Sequence, residues 1–119
     1  MTERSYPVLR IDDYKDAVAF YVDYLGFEIE FEWRHEPGFP VYMGLMRGGL
    51  GLHVTEHRGD LEGGGGAHFH IESVPAFYEE IKARRPEMEE VPIEQKWGST
   101  EIKLKDPFGN GMVFASATA

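Results

Sequence analysis

Cysteine is absent from the 119-residue chain, which excludes disulfide bridges and thiolate metal sites. No apolar run approaches the roughly 20 residues that a membrane span requires. The N-terminus shows no charged-then-apolar secretory pattern, so a cytoplasmic protein without a membrane partner is expected. Basic residues are scarce, 12 Lys plus Arg against 21 Asp plus Glu, for a formal charge of −9. Nucleic acid demands a basic face that displaces counterions, and none is expected as a partner. The acidic balance suits either a cationic small ligand or plain solubility. Nucleophile motifs are missing too: there is no G-x-S-x-G and no serine with an evident histidine partner. The acid pairs Glu79-Glu80 and Glu89-Glu90 fall in helix or loop context and are expected to face solvent. Covalent hydrolase chemistry is disfavoured on these grounds.

What remains is enough for one ordinary domain spanning residues 1–119, with 42% hydrophobic and 13% aromatic residues and a length that buries a core without staples. Its first half runs "YPVLRIDDYKDAVAFYVDYLGFEIEFEW". A strand is expected over Tyr6 to Ile11, then a helix capped by Asp12 or Asp13. Val18, Tyr21, Val22 and Leu25 form an apolar stripe at helical spacing, and Gly26 supplies the C-terminal cap. Phe27, Ile29, Phe31 and Trp33 then alternate as one aromatic-rich face of a strand. Pro37 and Gly38 break it, and two further strands follow, joined near Gly48-Gly49.

The second half repeats that order. A strand over Ala67 to Glu72 leads to a helix capped by Ser73, carrying Val74, Phe77, Tyr78 and Ile81 on one side. Cations at Lys82, Arg84 and Arg85 suit its C-terminal dipole, and Pro86 ends it. "VPIEQKW", "TEIKLK" and "GMVFA" complete the set. The two helices share letters, "AFYVDYLG" and "AFYEEIKA". The reading is an α+β fold of two tandem β-α-β-β-β modules, about 1–60 and 67–119, linked by a glycine joint at 63–66. That glycine run lacks the Lys-Ser/Thr ending of a phosphate loop and opens no helix.

Histidines and exposed aromatics are the candidate site residues. His53 lies in one strand, and His68 and His70 share one face of "HFHIE" because strand side chains alternate with period two. Such imidazoles suit zinc, nickel or iron. They suit equally well a role as hydrogen-bonded, partly buried histidines. His35 and His57 flank loops and carry less signal. Trp33, Phe39, Tyr42, Trp97 and Phe108 fall at strand ends or turns, where flat rings either pack the core or offer stacking and cation–π attraction to a ligand. Trp97 is of special interest because Gly98 follows it directly and a strand-turn-strand pattern, "STEIKLKDPFGNGMVF", comes next.

"PVLRIDDYKDAVAFYVDYLGFE" and "EQKWGSTEIKLKDPFGN" resemble the vicinal oxygen chelate superfamily of glyoxalases, dioxygenases and fosfomycin and bleomycin resistance proteins. They are most similar to the bleomycin resistance branch, with its P-V-L start, its L-G-F helix end, its Q-x-W-G turn and its D-P-x-G-N ending. The resemblance implies a homodimer formed by exchange of the N-terminal strand around Pro7. It implies sequestration of a cationic, planar glycopeptide antibiotic without chemical turnover, needing no cofactor. Trp97 and Phe39 would stack on the drug, with Gly98 leaving the indole face clear and Trp33, His53, His68 and His70 nearby. The superfamily's metal enzymes place ligands at positions that fall here on Tyr6, His53, Gly66 or His68, and Val113. The alternative expectation is therefore a glyoxalase-type lyase or isomerase with a divalent metal on His53 and His68. Against the drug-binding branch, "EHRGDLEGGGGAHFHIES" puts histidines where that branch usually carries other residues.

Overall fold

A computed structural model describes residues 4–57 and 64–118; Gly63 of the glycine joint and residues 58–60 at the end of the first module lie outside the described residues. In chain order the elements are β1 (Val8–Arg10), α1 (Tyr14–Ala17) with a π-helical continuation (Val18–Tyr24), β2 (Glu28–Arg34), β3 (Val41–Arg47), β4 (Leu50–Thr55), β5 (Gly66–His70), α2 (Val74–Arg84), β6 (Ile93–Glu94), β7 (Ser99–Lys105) and β8 (Gly111–Ala117). They form two four-stranded sheets, β1-β4-β3-β2 and β5-β8-β7-β6. In both, the first strand pairs parallel with the last strand of its module and the other pairs are antiparallel. The duplicated β-α-β-β-β order is thus realised.

Asp13 caps α1 by accepting from the Asp16 N–H at 2.9 Å, and Ser73 caps α2 by accepting from Ala76 at 3.1 Å. The first helix departs from the sequence reading. Its buried side chains are Ala17, Phe20, Tyr21, Tyr24 and Leu25, while Val18 and Val22 are only half-buried. The buried positions 17, 20, 21, 24 and 25 keep the i, i+3, i+4, i+7, i+8 spacing of an ordinary helix face; Tyr21 and Leu25 of the expected stripe are buried, and the face is centred one position before the two valines. Gly26, at φ +82°, ends the helix as expected.

The second strand also departs from simple alternation. Ile29 pairs with Leu45 and Phe31 pairs with Gly44, so Glu30 is an inserted residue. That β-bulge leaves Ile29 on the inner face with Leu45 and puts Phe31 and Trp33 on the opposite, outer face. The strands expected at Tyr6 to Ile11 and in "VPIEQKW" contract to Val8–Arg10 and Ile93–Glu94.

One continuous core joins the inner faces of both sheets and both helices. Leu9, Met43, Leu45, Leu52 and Val54 meet Phe69, Ile102, Leu104, Met112 and Phe114 around Phe20, Tyr21, Phe77 and Ile81. Phe27 lies 6.3 Å from Phe69 across the module boundary. Two polar clasps cross the same boundary. Asp106, 4% exposed, accepts from the Tyr21 hydroxyl at 2.6 Å and from the Asn110 side-chain amide at 2.8 Å. Its other oxygen accepts from the N–H groups of Phe108 and Asn110. Asn110 in turn donates to the Arg10 carbonyl at 2.7 Å and accepts from the Gly65 N–H at 2.8 Å. Burial, reinforced by the Asp106 carboxylate, pushes the Tyr21 hydroxyl well above the usual tyrosine range.

The second clasp corrects the expectation that Glu80 faces solvent. Glu80 takes both guanidinium nitrogens of Arg47 at 2.6 and 2.8 Å and Arg84 at 2.7 Å. Arg47 and Arg84 also donate to the carbonyls of Leu25 and Tyr24, satisfying the open end of the first helix. Hydrogen bonds from Arg47, the largest cause, and from Arg84 draw the Glu80 carboxyl down to about 2.

Candidate functional site

Because the two sheets share a core, each turns its other face away from it. On the first sheet the outer residues follow from register: Val8, His53, Gly44 and Phe31 lie in one row, and Tyr42 and Trp33 in the next. Glycine makes this face unusual. A Cβ at Gly44 would overlap the Phe31 ring, and a Cβ at Gly51 would overlap the ring of Tyr6. The two rings therefore lie down onto the sheet in niches that a larger residue would fill.

Between them stands His53. Tyr6 stacks on its imidazole at 4.7 Å and an 11° interplanar angle; Phe31 meets it edge-on at 5.4 Å. The Tyr42 hydroxyl lies 2.9 Å from His53 Nδ1. The row extends outward along the strands: Trp33 lies 5.9 Å from His35 and 6.4 Å from His57, and His35 lies 6.2 Å from Phe39. Phe39, 44% exposed, rims a 520 Å³ hollow with Arg10, Tyr14, Arg34 and Glu56. Arg34 donates to the Phe39 carbonyl at 2.5 Å and places its guanidinium 5.4 Å from the centre of the Tyr14 ring, so the loop that carries Phe39 is tethered.

On the second sheet the outer rows are Gly66, Gly111 and Lys105; His68, Val113 and Lys103; and His70, Ala115 and Glu101. The His68 and His70 rings lie 5.1 Å apart, and both are exposed. Trp97 occupies the tip of a tight turn in which the Gly98 N–H donates to Gln95 O at 3.1 Å and the Gln95 N–H donates to Ser99 O at 2.7 Å. Gly98 has φ +89° with open space around it, a backbone state that favours glycine. The indole is 71% exposed. Phe108, by contrast, packs against the core.

The expected residues therefore divide into two groups. Trp33, His53 and Phe39 belong to the outer strip of the first module, and His68, His70, Trp97 and Gly98 to the second. No ring contact joins the two groups among the described residues. Phe31 as a wall of this strip was not singled out in the sequence, and its position depends on the bulge at Glu30. Tyr42 beside His53 was within reach: the two-residue turn Gly48-Gly49 pairs Arg47 with Leu50, and counting back places Tyr42 diagonally across from His53.

Residues at the superfamily's metal positions do not fit a metal centre in this chain. Val113, in register with His68, has no donor atom, Tyr6 is turned flat onto His53, and His53 Nδ1 is engaged by Tyr42. Among the described residues no group of three or more His, Asp or Glu side chains converges as a ligand set, whereas a working site usually needs three protein ligands.

No helix among the described residues is long and apolar enough to cross a membrane. None of the curated protein sequences matches the chain. Solved structures do. A bleomycin-binding protein complexed with bleomycin is 27% identical, with 97% of this chain and 98% of that chain covered and a TM-score of 0.74. A bleomycin resistance determinant encoded on the transposon Tn5 is 26% identical over 99% of this chain and 100% of that chain, also at 0.74. A glyoxalase-related enzyme from Clostridium phytofermentans shares the fold at a TM-score of 0.76 with 17% identity, covering 98% of this chain and 96% of that chain. A family model described as glyoxalase superfamily protein matches residues 1–119, and the chain belongs to that superfamily.

Proposed function

We propose that this protein binds and sequesters a planar, cationic small molecule of the bleomycin type without transforming it, in clefts completed by a second copy of the chain. The observation that carries the reading is Trp97, a large ring 71% exposed on a turn rigidly defined by Gly98, with no ring partner among the described residues. Exposing a tryptophan this fully costs apolar hydration, and a stacking ligand would recover it. Trp33 and Phe31, 52% and 39% exposed, add flat area on the other outer face. Two faces that are each uncovered in one chain, one aromatic and one bearing His68 and His70, can wall a cleft together when copies associate. The net charge of −9 draws in a cation. The likeness to a protein solved with bleomycin supports the ligand class.

For the glyoxalase-type alternative, no donor set converges among the described residues. Indole fluorescence of the wild type and of Trp97→Ala during titration with copper-loaded bleomycin tests the reading. Saturable quenching in the wild type is expected, with the drug recovered unchanged by mass spectrometry. A processed drug, or equal affinity in both proteins, would overturn it.

A further inference from the structure

The outer face of the first sheet holds one imidazole that is fixed on every side but one. Tyr6 covers one face of His53, Phe31 abuts it edge-on, and Tyr42 engages Nδ1. His53 Nε2 makes no hydrogen bond among the described residues, yet no buried side-chain nitrogen or oxygen among them lacks a partner. Nε2 therefore reaches the open side of the sheet. Between a phenol and a neutral imidazole, the phenol is the stronger donor and the ring nitrogen the stronger acceptor. This chemistry favours donation from the Tyr42 hydroxyl to Nδ1, 2.9 Å away, an arrangement that leaves the imidazole proton on Nε2.

We infer that Tyr42 and His53 act as a dyad presenting a fixed N–H donor to the cleft, and that the ligand bound there carries a carbonyl oxygen, as in a carboxamide, on the edge of its planar ring system. Tyr42 is the positioning residue, setting the tautomer through its hydroxyl, while His53 makes the contact. The exposed rings on the same outer face, Phe31 and Trp33 at 39% and 52%, offer flat area beside that donor, which is why the acceptor belongs to a flat ligand. The inference deepens the proposed function and rests on it for the existence of the cleft.

Nuclear magnetic resonance of protein labelled with ¹⁵N on histidine tests it in two steps, neither of which needs bleomycin. Without ligand, His53 is expected as the Nε2–H tautomer. Tyr42→Phe, which keeps the ring packing and removes only the hydroxyl, is expected to yield a tautomer mixture. A purely structural tyrosine would leave the tautomer unmoved. Benzamide, a ring with a carbonyl acceptor, is then expected to shift the His53 Nε2–H signal, with binding about tenfold weaker in Tyr42→Phe, the order of one hydrogen bond. Benzylammonium, a cationic ring without an acceptor, should leave that signal in place. An Nδ1–H tautomer, or a signal unmoved by benzamide, overturns the inference. Because the difference in bleomycin affinity between the wild type and Trp97→Ala reports on Trp97, whereas the ¹⁵N signal reports on His53, loss of the dyad inference and loss of the sequestration reading give different results.

Discussion

At the scale of single residues, two kinds of side chain carry this account: rings left bare and polar groups buried in pairs. Trp97 is the first kind. Replacing it by alanine should cost about 1–3 kcal/mol of binding, the range found for ring stacking on planar bases, with little change in melting temperature because the residue is 71% exposed and makes no ring contact among the described residues. Asp106 and Tyr21 are the second kind. Tyr21→Phe removes one donor from a carboxylate 4% exposed and should cost about 1–3 kcal/mol of stability, measured by urea unfolding, without altering ligand affinity. The turn at Trp97 was legible in the sequence because a glycine marks it locally. Tyr21 and Asp106 stand 85 residues apart, and no local pattern announces such a pair. The D-P-x-G-N motif is explained by that clasp: its acid and amide hold the two modules together rather than a ligand.

At the scale of elements, the second helix was legible throughout, and the first was legible in its bounds at Asp13 and Gly26 and only partly in its inward face. Ser73 and Pro86 bound the second helix with local chemistry, and Val74, Phe77 and Ile81 are buried as the 3.6-residue period requires. In the first helix the inward face keeps ordinary spacing through Ala17, Phe20, Tyr21, Tyr24 and Leu25, and the stripe read from the sequence fails locally because its phase is one residue late at the two valines. The same holds for β2, where strict alternation fails at Glu30. Because Glu30 is the extra residue, its deletion should regularise the ladder with Ile29 still opposite Leu45 and Phe31 still opposite Gly44, so the aromatic strip stays on the outer face and unfolding, followed by circular dichroism, stays cooperative. The clasp between α2 and the end of the first helix gives a pH dependence. Glu80 has a folded-state pKa lowered from 4.5 to about 2, so its contribution is present above about 4.5 and is lost as pH falls through that window. Glu80→Gln should flatten the acid limb of a melting-temperature profile between those values and lower stability at neutral pH.

At the scale of the whole molecule, the decisive feature is the placement of both helices in a shared core, which frees the outer face of each sheet. Duplicated letters and element order made the two modules readable, but which faces meet and which stay open depends on packing that sequence does not encode locally. The split of Phe39 and Trp97 onto different modules is a consequence, and the proposed joint use of the two rings calls for a second copy. If the acidic surface steers a cation, the association rate of copper-loaded bleomycin should fall several-fold between low and physiological salt while the dissociation rate changes little, a stopped-flow measurement. The central claim is tested most directly by calorimetric titration of the purified protein with copper-loaded bleomycin. Saturable binding near one drug per chain is expected, weakened in Trp97→Ala by about 1–3 kcal/mol. Absence of heat and of saturation with a folded protein would contradict it.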